Sequence, residues 1–224
     1  MEANAAKTEA GSHFPIIEPS PGLLPKRPCI GALDVSTTRG IAALVLLFPR
    51  KNCGFDVRCH FWLPEASLTP EQEQWVAQGY LTLTPGNVTS YKAIGKAVRA
   101  ALSNYDVRGI GYDRYNAMQL VVDLTEEGAP MKPVGQGFLG MSEPIRRLQK
   151  LARKGRIRHT NPMLTEMMGS VVLKQDAVGN VKIDVLTNRQ LLAGPLALVA
   201  AIGLSLTEVE APLNEPVLTP ELPS

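Results

Sequence analysis

CIGALDVSTTRGIAALVLLFP, residues 29–49, is the stretch that decides the fold. It holds two apolar runs, CIGALDVS (29–36) and IAALVLLFP (41–49), separated by the polar TTRG (37–40). Each run is strand-length and bounded by turn residues, so each reads as a buried β-strand. The short turn makes the pair antiparallel. FDVRCHFWLP (55–64) alternates apolar and polar residues and extends the pair to a three-stranded meander. One residue does not belong in such a core: Asp34, between Leu33 and Val35.

Outward from the meander the pattern changes period. TPEQEQWVAQG (69–79) is a short helix with Thr69 as N-cap and Pro70 at the first position. SYKAIGKAVRAALSNY (90–105) carries Ile94, Val98 and Leu102 at four-residue spacing, an amphipathic helix. VRGIGYD (107–113) is a fourth strand, NAMQLVVDLTEEG (116–128) a helix closed by Gly128, and PMKPVGQ (130–136) a short strand. SEPIRRLQKLARKG (142–155) reads as a helix capped by Ser142, followed by a short strand at Ile157–His159 and a helix over 161–170. VVLKQDAVGNVKIDV (171–185) reads as a β-hairpin and RQLLAGPLALVAAIG (189–203) as a last, buried helix. Three leading strands followed by alternating strands and helices predict an α/β fold. It is a ribonuclease H-like mixed β-sheet with helices on both faces and a β-hairpin near the C-terminus. A doubly wound sheet is the competing arrangement.

In that fold the first and fourth strands are neighbours, which brings Asp34 and Asp113 together. Buried carboxylates are costly unless paired or bound to a cation, and two that face each other stay ionised together only when a cation neutralises them. Hard oxygen ligands suit Mg²⁺ or Mn²⁺, and a pair of such ions about 3.5–4 Å apart can act on a phosphodiester. The competing reading makes both residues structural, with Asp34 bonded to the TTRG turn and Asp113 capping the helix that begins near Asn116.

The charge distribution adds a second clue. Between Lys132 and Thr160 eight basic residues (Lys132, Arg146, Arg147, Lys150, Arg153, Lys154, Arg156, Arg158) face one acid, Glu143. A block of this kind suggests a polyanion-facing surface, against the plainer reading of a solvated helix face. Cys29, Cys53 and Cys59 form no CxxC, and His13, His60 and His159 complete no zinc pattern, so a reducing compartment fits. MEANAAKTEAGSHF lacks the apolar core of a secretory signal. The apolar run Leu191–Leu206 falls short of the roughly 20 residues of a membrane span and contains Gly194, Pro195 and Gly203, so no membrane is expected. Trp62 and Trp75 read as core residues. Residues 1–28 read as a flexible arm, 29–206 as the folded domain and the Pro-rich, acidic 207–224 as a disordered tail.

Several segments, in order, resemble the nuclease domain of the large terminase subunit of tailed bacteriophages. They are GALDVSTT (31–38), AALVLLFP (42–49), FWLPE (61–65) and WVAQGYLTLTPGNVTSYKAI (75–94). YDVRGIGYDRYNAMQLVVDLTEEG (105–128), QGFLGMSEPIRRLQKLARKGRIRHTNPML (136–164) and VVLKQDAVGN (171–180) complete the set. The resemblance implies a metal-dependent endonuclease of double-stranded concatemeric DNA with two Mg²⁺ or Mn²⁺ ions and little sequence specificity. It also implies an ATPase domain, a small terminase subunit and a portal as partners, and the host cytoplasm as location, outside the virion. No phosphate-binding loop of the GxxxxGK[ST] type is present, so this chain does not itself power packaging. It is expected to be an excised domain or a natural stand-alone form.

By position, Asp34 and Asp113 match the first two metal-binding aspartates of that family, and Asn116 accompanies the second. The third family aspartate falls at Ala193. Upstream, where the family has Asp-Lys, this chain has Asp184-Val185. Three explanations stand: an engineered substitution; a natural variant in which Asp184, Asp176 or Glu166 serves; or a domain that no longer cuts. The expected catalytic positions are therefore Asp34, Asp113 and Ala193, with Asp184 as a further metal-ligand candidate. Arg147, Lys150, Lys154, Arg156 and Arg158 are expected beside the site as phosphate contacts. His159 is a candidate for proton transfer, against a structural role. The alternative function is a DNA-binding or motor-assembly module without catalysis.

Overall fold

The computed structural model describes residues 27–35, 39–51, 53–114, 118–187 and 191–207. The TTRG turn falls partly outside these residues, Asn116 wholly, and the expected arm and tail almost entirely. The last two arm residues do fall within them, and both are tied to the sheet. Arg27 donates to the Phe48 and Pro49 carbonyls and to Asp56, and Pro28 pairs with Asp106.

The predicted meander forms as β1 (Pro28–Asp34), β2 (Ala42–Pro49) and β3 (Phe55–Pro64), each pair antiparallel. After the helix α1 (Pro70–Ala77) comes β4 (Thr82–Thr84), a short parallel strand on the outer side of β3 that the sequence reading missed. Its TLT segment is too short to show a period. Helix α2 (Tyr91–Asn104) leads into β5 (Asp106–Tyr112), which pairs parallel with β1. Helix α3 (Met118–Glu126) leads into β6 (Met131–Pro133). Helix α4 (Phe138–Arg153), β7 (Ile157–Arg158), α5 (Pro162–Gly169), the hairpin strands β8 (Leu173–Gln175) and β9 (Val181–Ile183), and α6 (Ala193–Thr207) follow. The main sheet runs β4-β3-β2-β1-β5-β6, with β7 also on β3. This is the mixed, helix-flanked ribonuclease H-like arrangement, with the hairpin as a separate two-stranded sheet.

Alternation along the strands divides the core in two. Ala32, Ala43, Val45, Val57 and Phe61 face α4, α5 and α6. Leu33, Leu44, Leu46 and Trp62 face α2 and α3. The twelve buried residues of α6 explain its unbroken apolar run: the helix lies between the sheet and α4 and has no wet face. Among the described residues no helix is long and apolar enough to cross a membrane.

Helix α4 corrects the expected start at Ser142. It begins at Phe138, and Ser142 lies inside it, accepting a hydrogen bond from the Val181 amide. Pro144 is therefore an interior proline, which forfeits a helical hydrogen bond. Its ring packs against Gly203 of α6, where a Cβ would come within 3.0 Å of the proline Cγ. The two helices close over that gap. At the head of α4, a Cβ on Gly140 would collide with the Gly135 carbonyl oxygen, so only glycine fits there.

Candidate functional site

The carboxylates are placed by strand register. Leu33 pairs with Tyr112 across the parallel β1–β5 ladder, so the next position sets Asp34 beside Asp113, at the C-terminal ends of both strands. Ala32 lies on the α6 face, and a Cβ on Gly111 would meet Ala32 Cβ at 3.4 Å and the Ala200 carbonyl at 3.8 Å. Asp34 and Asp113, two residues further on, occupy that same face. Neighbouring strands stand about 4.8 Å apart. At that spacing and an effective dielectric near 20, two carboxylates repel by about 3 kcal/mol. Asp34 is buried, and its Oδ1 accepts a hydrogen bond from Gln136 Nε2 at 3.3 Å. Gln136 lies between Gly135 and Gly137 in the loop from β6 to α4, with no periodic pattern to mark it in the sequence.

Helix α6 points its first turn at this pair. Leu204 lies over Gly109 and Ala200 over Gly111, so the helix runs antiparallel to β5 and its start lies beyond the strand end. Gly194 abuts Phe61, Leu164 and Met167. Phe61 belongs to the same cross-strand row as Ala43 and Asp34. Ala193, the first residue of α6, is 3% exposed. Ala193 belongs to the apolar core on that face of the sheet. Alanine leaves the partial positive charge of the helix N-terminus directed at the aspartate pair, about half a unit.

The candidate substitutes are engaged elsewhere. Asp184 accepts from the Leu186 amide and pairs with Lys174 Nζ at 2.9 Å, and these contacts hold its carboxyl below the usual range. Asp176 accepts from the Val178 and Asn180 amides and from Asn180 Nδ2, which shapes the hairpin turn. Glu166 is on the exposed side of α5. Among the described residues no three His, Cys, Asp or Glu side chains converge on a metal position.

His159 is 3% exposed and bonds the Asn161 carbonyl through Nδ1 at 3.1 Å. Burial lowers its pKa. It lies beside β7, which pairs with the opening residues of β3, at the end of the sheet away from Asp34. Trp62 and Trp75 are core residues, as expected.

The same register relocates part of the basic block. Phe55 pairs with both Ile157 and Pro49, the row opposite the start of β1. Six residues along the strands and three strand spacings put Ile157 about 25 Å from Asp34. Arg156 and Arg158 are thus at the far end rather than beside the carboxylates. Arg158 is paired with Asp56 in register, on the sheet face away from α4. Arg147 and Lys150 lie on α4 between the two ends, and Lys154 caps it at the far one.

Residues 16–208 match the family model described as terminase large subunit, endonuclease domain. The large terminase subunit of Enterobacteria phage HK97 is 28% identical over 193 residues, covering 82% of this chain and 38% of the relative. Protein YmfN of Escherichia coli is 29% identical over 198 residues, covering 79% and 43%. The chain therefore spans about two fifths of the length of these relatives. The HK97 large terminase crystal structure superposes with a TM-score of 0.72 at 27% identity, over 82% of this chain and 41% of that one. The large terminase nuclease of thermophilic phage G20c, solved with bound magnesium, superposes at 0.56 with 12% identity, over 90% and 98%. That last similarity is one of fold.

Proposed function

The chain belongs to the terminase large subunit endonuclease-domain family, and from that premise we propose that it is a divalent-metal-dependent endonuclease domain for double-stranded viral DNA, impaired as its sequence stands. The observation that carries this is the register that sets Asp34 beside Asp113 at the ends of β1 and β5, under the first turn of α6. The G20c relative, solved with magnesium and with cobalt, supports a divalent cation.

The donor set fits one hard cation held by Asp34 and Asp113, with Gln136 orienting Asp34. Such an ion would supply charge stabilisation at a phosphodiester. The family's two-ion centre needs a third carboxylate, which Ala193 does not provide, and Asp184 is paired with Lys174. The residues present bind and orient: Asp34 and Asp113 hold the cation, the α6 N-terminus adds positive potential, and the α4 cations meet the phosphates. In packaging, the partners would be double-stranded DNA, the ATPase domain, the small subunit and the portal.

Mn²⁺ binding by calorimetry tests the carboxylate pair. Binding that Asp34→Asn abolishes is expected, and binding indifferent to that change would refute the site. The missing third carboxylate also favours a second reading, a DNA-binding or assembly module without catalysis. DNA binding indifferent to metal and to Asp34→Asn, with no cleavage under any metal, would select it.

A further inference from the structure

The exposed side of α4 forms a charged stripe. Met141, Pro144, Ile145, Leu148, Leu151 and Ala152 are its buried side. Projected at 100° per residue, Arg147, Lys150, Arg153 and Lys154 fall on the opposite side. Lys150, Arg153 and Lys154 are exposed and Arg147 is half-buried. None of the four makes an ion pair among the described residues. The neighbouring Arg146 is committed to the Gly179 carbonyl of the hairpin at 2.7 Å. The acid on this side is Glu143, one turn from the head of the helix.

The stripe has a direction. The loop leading into α4 touches Asp34 through Gln136, so the helix starts at the carboxylates. It ends at Gly155, whose φ of +60° reverses the chain into β7 at the far end of the sheet. Sixteen residues at 1.5 Å each carry the stripe about 24 Å away. At 3.4 Å per base pair that is about 7 base pairs of duplex. The cations also thicken with distance from the site: Arg147 alone in the third turn, then Lys150, then Arg153 and Lys154 together.

We infer that the outer face of α4 is a phosphate-tracking rail, which holds duplex DNA by Arg153 and Lys154 about 7 base pairs from the phosphate at the carboxylates. Cations that make no ion pair among the described residues, set along one helix face, match the evenly charged backbone of a duplex and read no sequence. The inference rests on the nuclease reading for the identity of its ligand. It adds where the duplex runs and which residues grip it away from the cut.

The test is fluorescence anisotropy of labelled duplexes over a salt series, comparing the parent with Arg153→Gln/Lys154→Gln. Both substituted side chains are exposed, and circular dichroism checks the fold. Each lost phosphate contact should reduce the slope of log affinity against log salt by about 0.9, so the double variant should lose close to two units. Parent affinity should rise as the duplex lengthens past about 7 base pairs, and the variant should lose that rise. An unchanged slope and length dependence in the variant would overturn the rail. Equal competition by polyglutamate would overturn it too, by showing capture of any polyanion. Mn²⁺ binding at Asp34 is read separately. Its loss with an intact rail removes the nuclease reading alone, and an indifferent rail with intact metal binding removes this inference alone.

Discussion

Ala193→Asp is the perturbation that most directly tests the site. Ala193 is 3% exposed at the head of α6. Without metal, a new carboxylate there is buried beside two others. The helix N-terminus returns about 0.3–1 kcal/mol, and repulsion of about 3 kcal/mol from each neighbour opposes it before screening. The unscreened sum is about 5–6 kcal/mol, and solvent screening with uptake of a proton by one carboxyl brings the loss to roughly 2–4 kcal/mol, the range of other large single-site losses. For a domain of this size each kcal/mol shifts Tm by about 2–4 °C, so the metal-free variant should melt about 4–16 °C below the parent. A divalent cation reverses the sign, since the third carboxylate then serves as a ligand. At a hundredfold excess over Kd the recovery is about 2.7 kcal/mol. Differential scanning fluorimetry with EDTA or Mn²⁺ should show a larger metal-induced rise in the variant, and plasmid nicking should appear or strengthen. A folded variant with no extra metal response and no gain in cleavage would refute the placement of the third corner at Ala193.

Two further outcomes follow from packing and titration. Gly140→Ala drives a Cβ into the Gly135 carbonyl, so overpacking should cost about 1–3 kcal/mol, seen as a lower midpoint in urea unfolding. The strained loop carries Gln136, so Mn²⁺ affinity should fall along with stability. Burial lowers the pKa of both His60 and His159 in the folded state. Their stabilising contribution is therefore complete above the unfolded value near 6.5 and is lost as pH falls through the folded values. Tm should drop on acidification below that point, and His159→Gln should make the drop shallower; an identical pH profile in that variant would contradict the assignment.

Much of the architecture was legible because it rests on local periodicity. The apolar runs 29–36 and 41–49 could only be buried strands, and Asp34 within the first was conspicuous because a carboxylate there needs a partner. The β8–β9 hairpin was marked by its turn, where Gly179 adopts φ +88°. The start of α4 was misplaced because Ser142 and Pro144 imitate a cap and first turn. Only the Gly203 surface of α6 shows why the proline sits inside the helix. β4 carries too few residues to show a period, and Gln136 reaches Asp34 from 102 positions away, a contact no local pattern encodes.

The sequence by itself determined most of the order of elements and the pair of aspartates, because these depend on residue type and spacing, and the resemblance to the terminase nucleases pointed to Ala193 as the position of a third acid. Tertiary structure alone decided what those residues face. Parallel pairing of β1 with β5 put Asp34 beside Asp113, and the antiparallel run of α6 over β5 carried the start of that helix toward the same end of the sheet. The hairpin packing paired Asp184 with Lys174. The basic block, continuous in sequence, was split by the turn at Gly155 between the outer face of α4 and the far edge of the sheet. Each is a long-range relation set by strand register and helix packing, which a one-dimensional pattern does not contain.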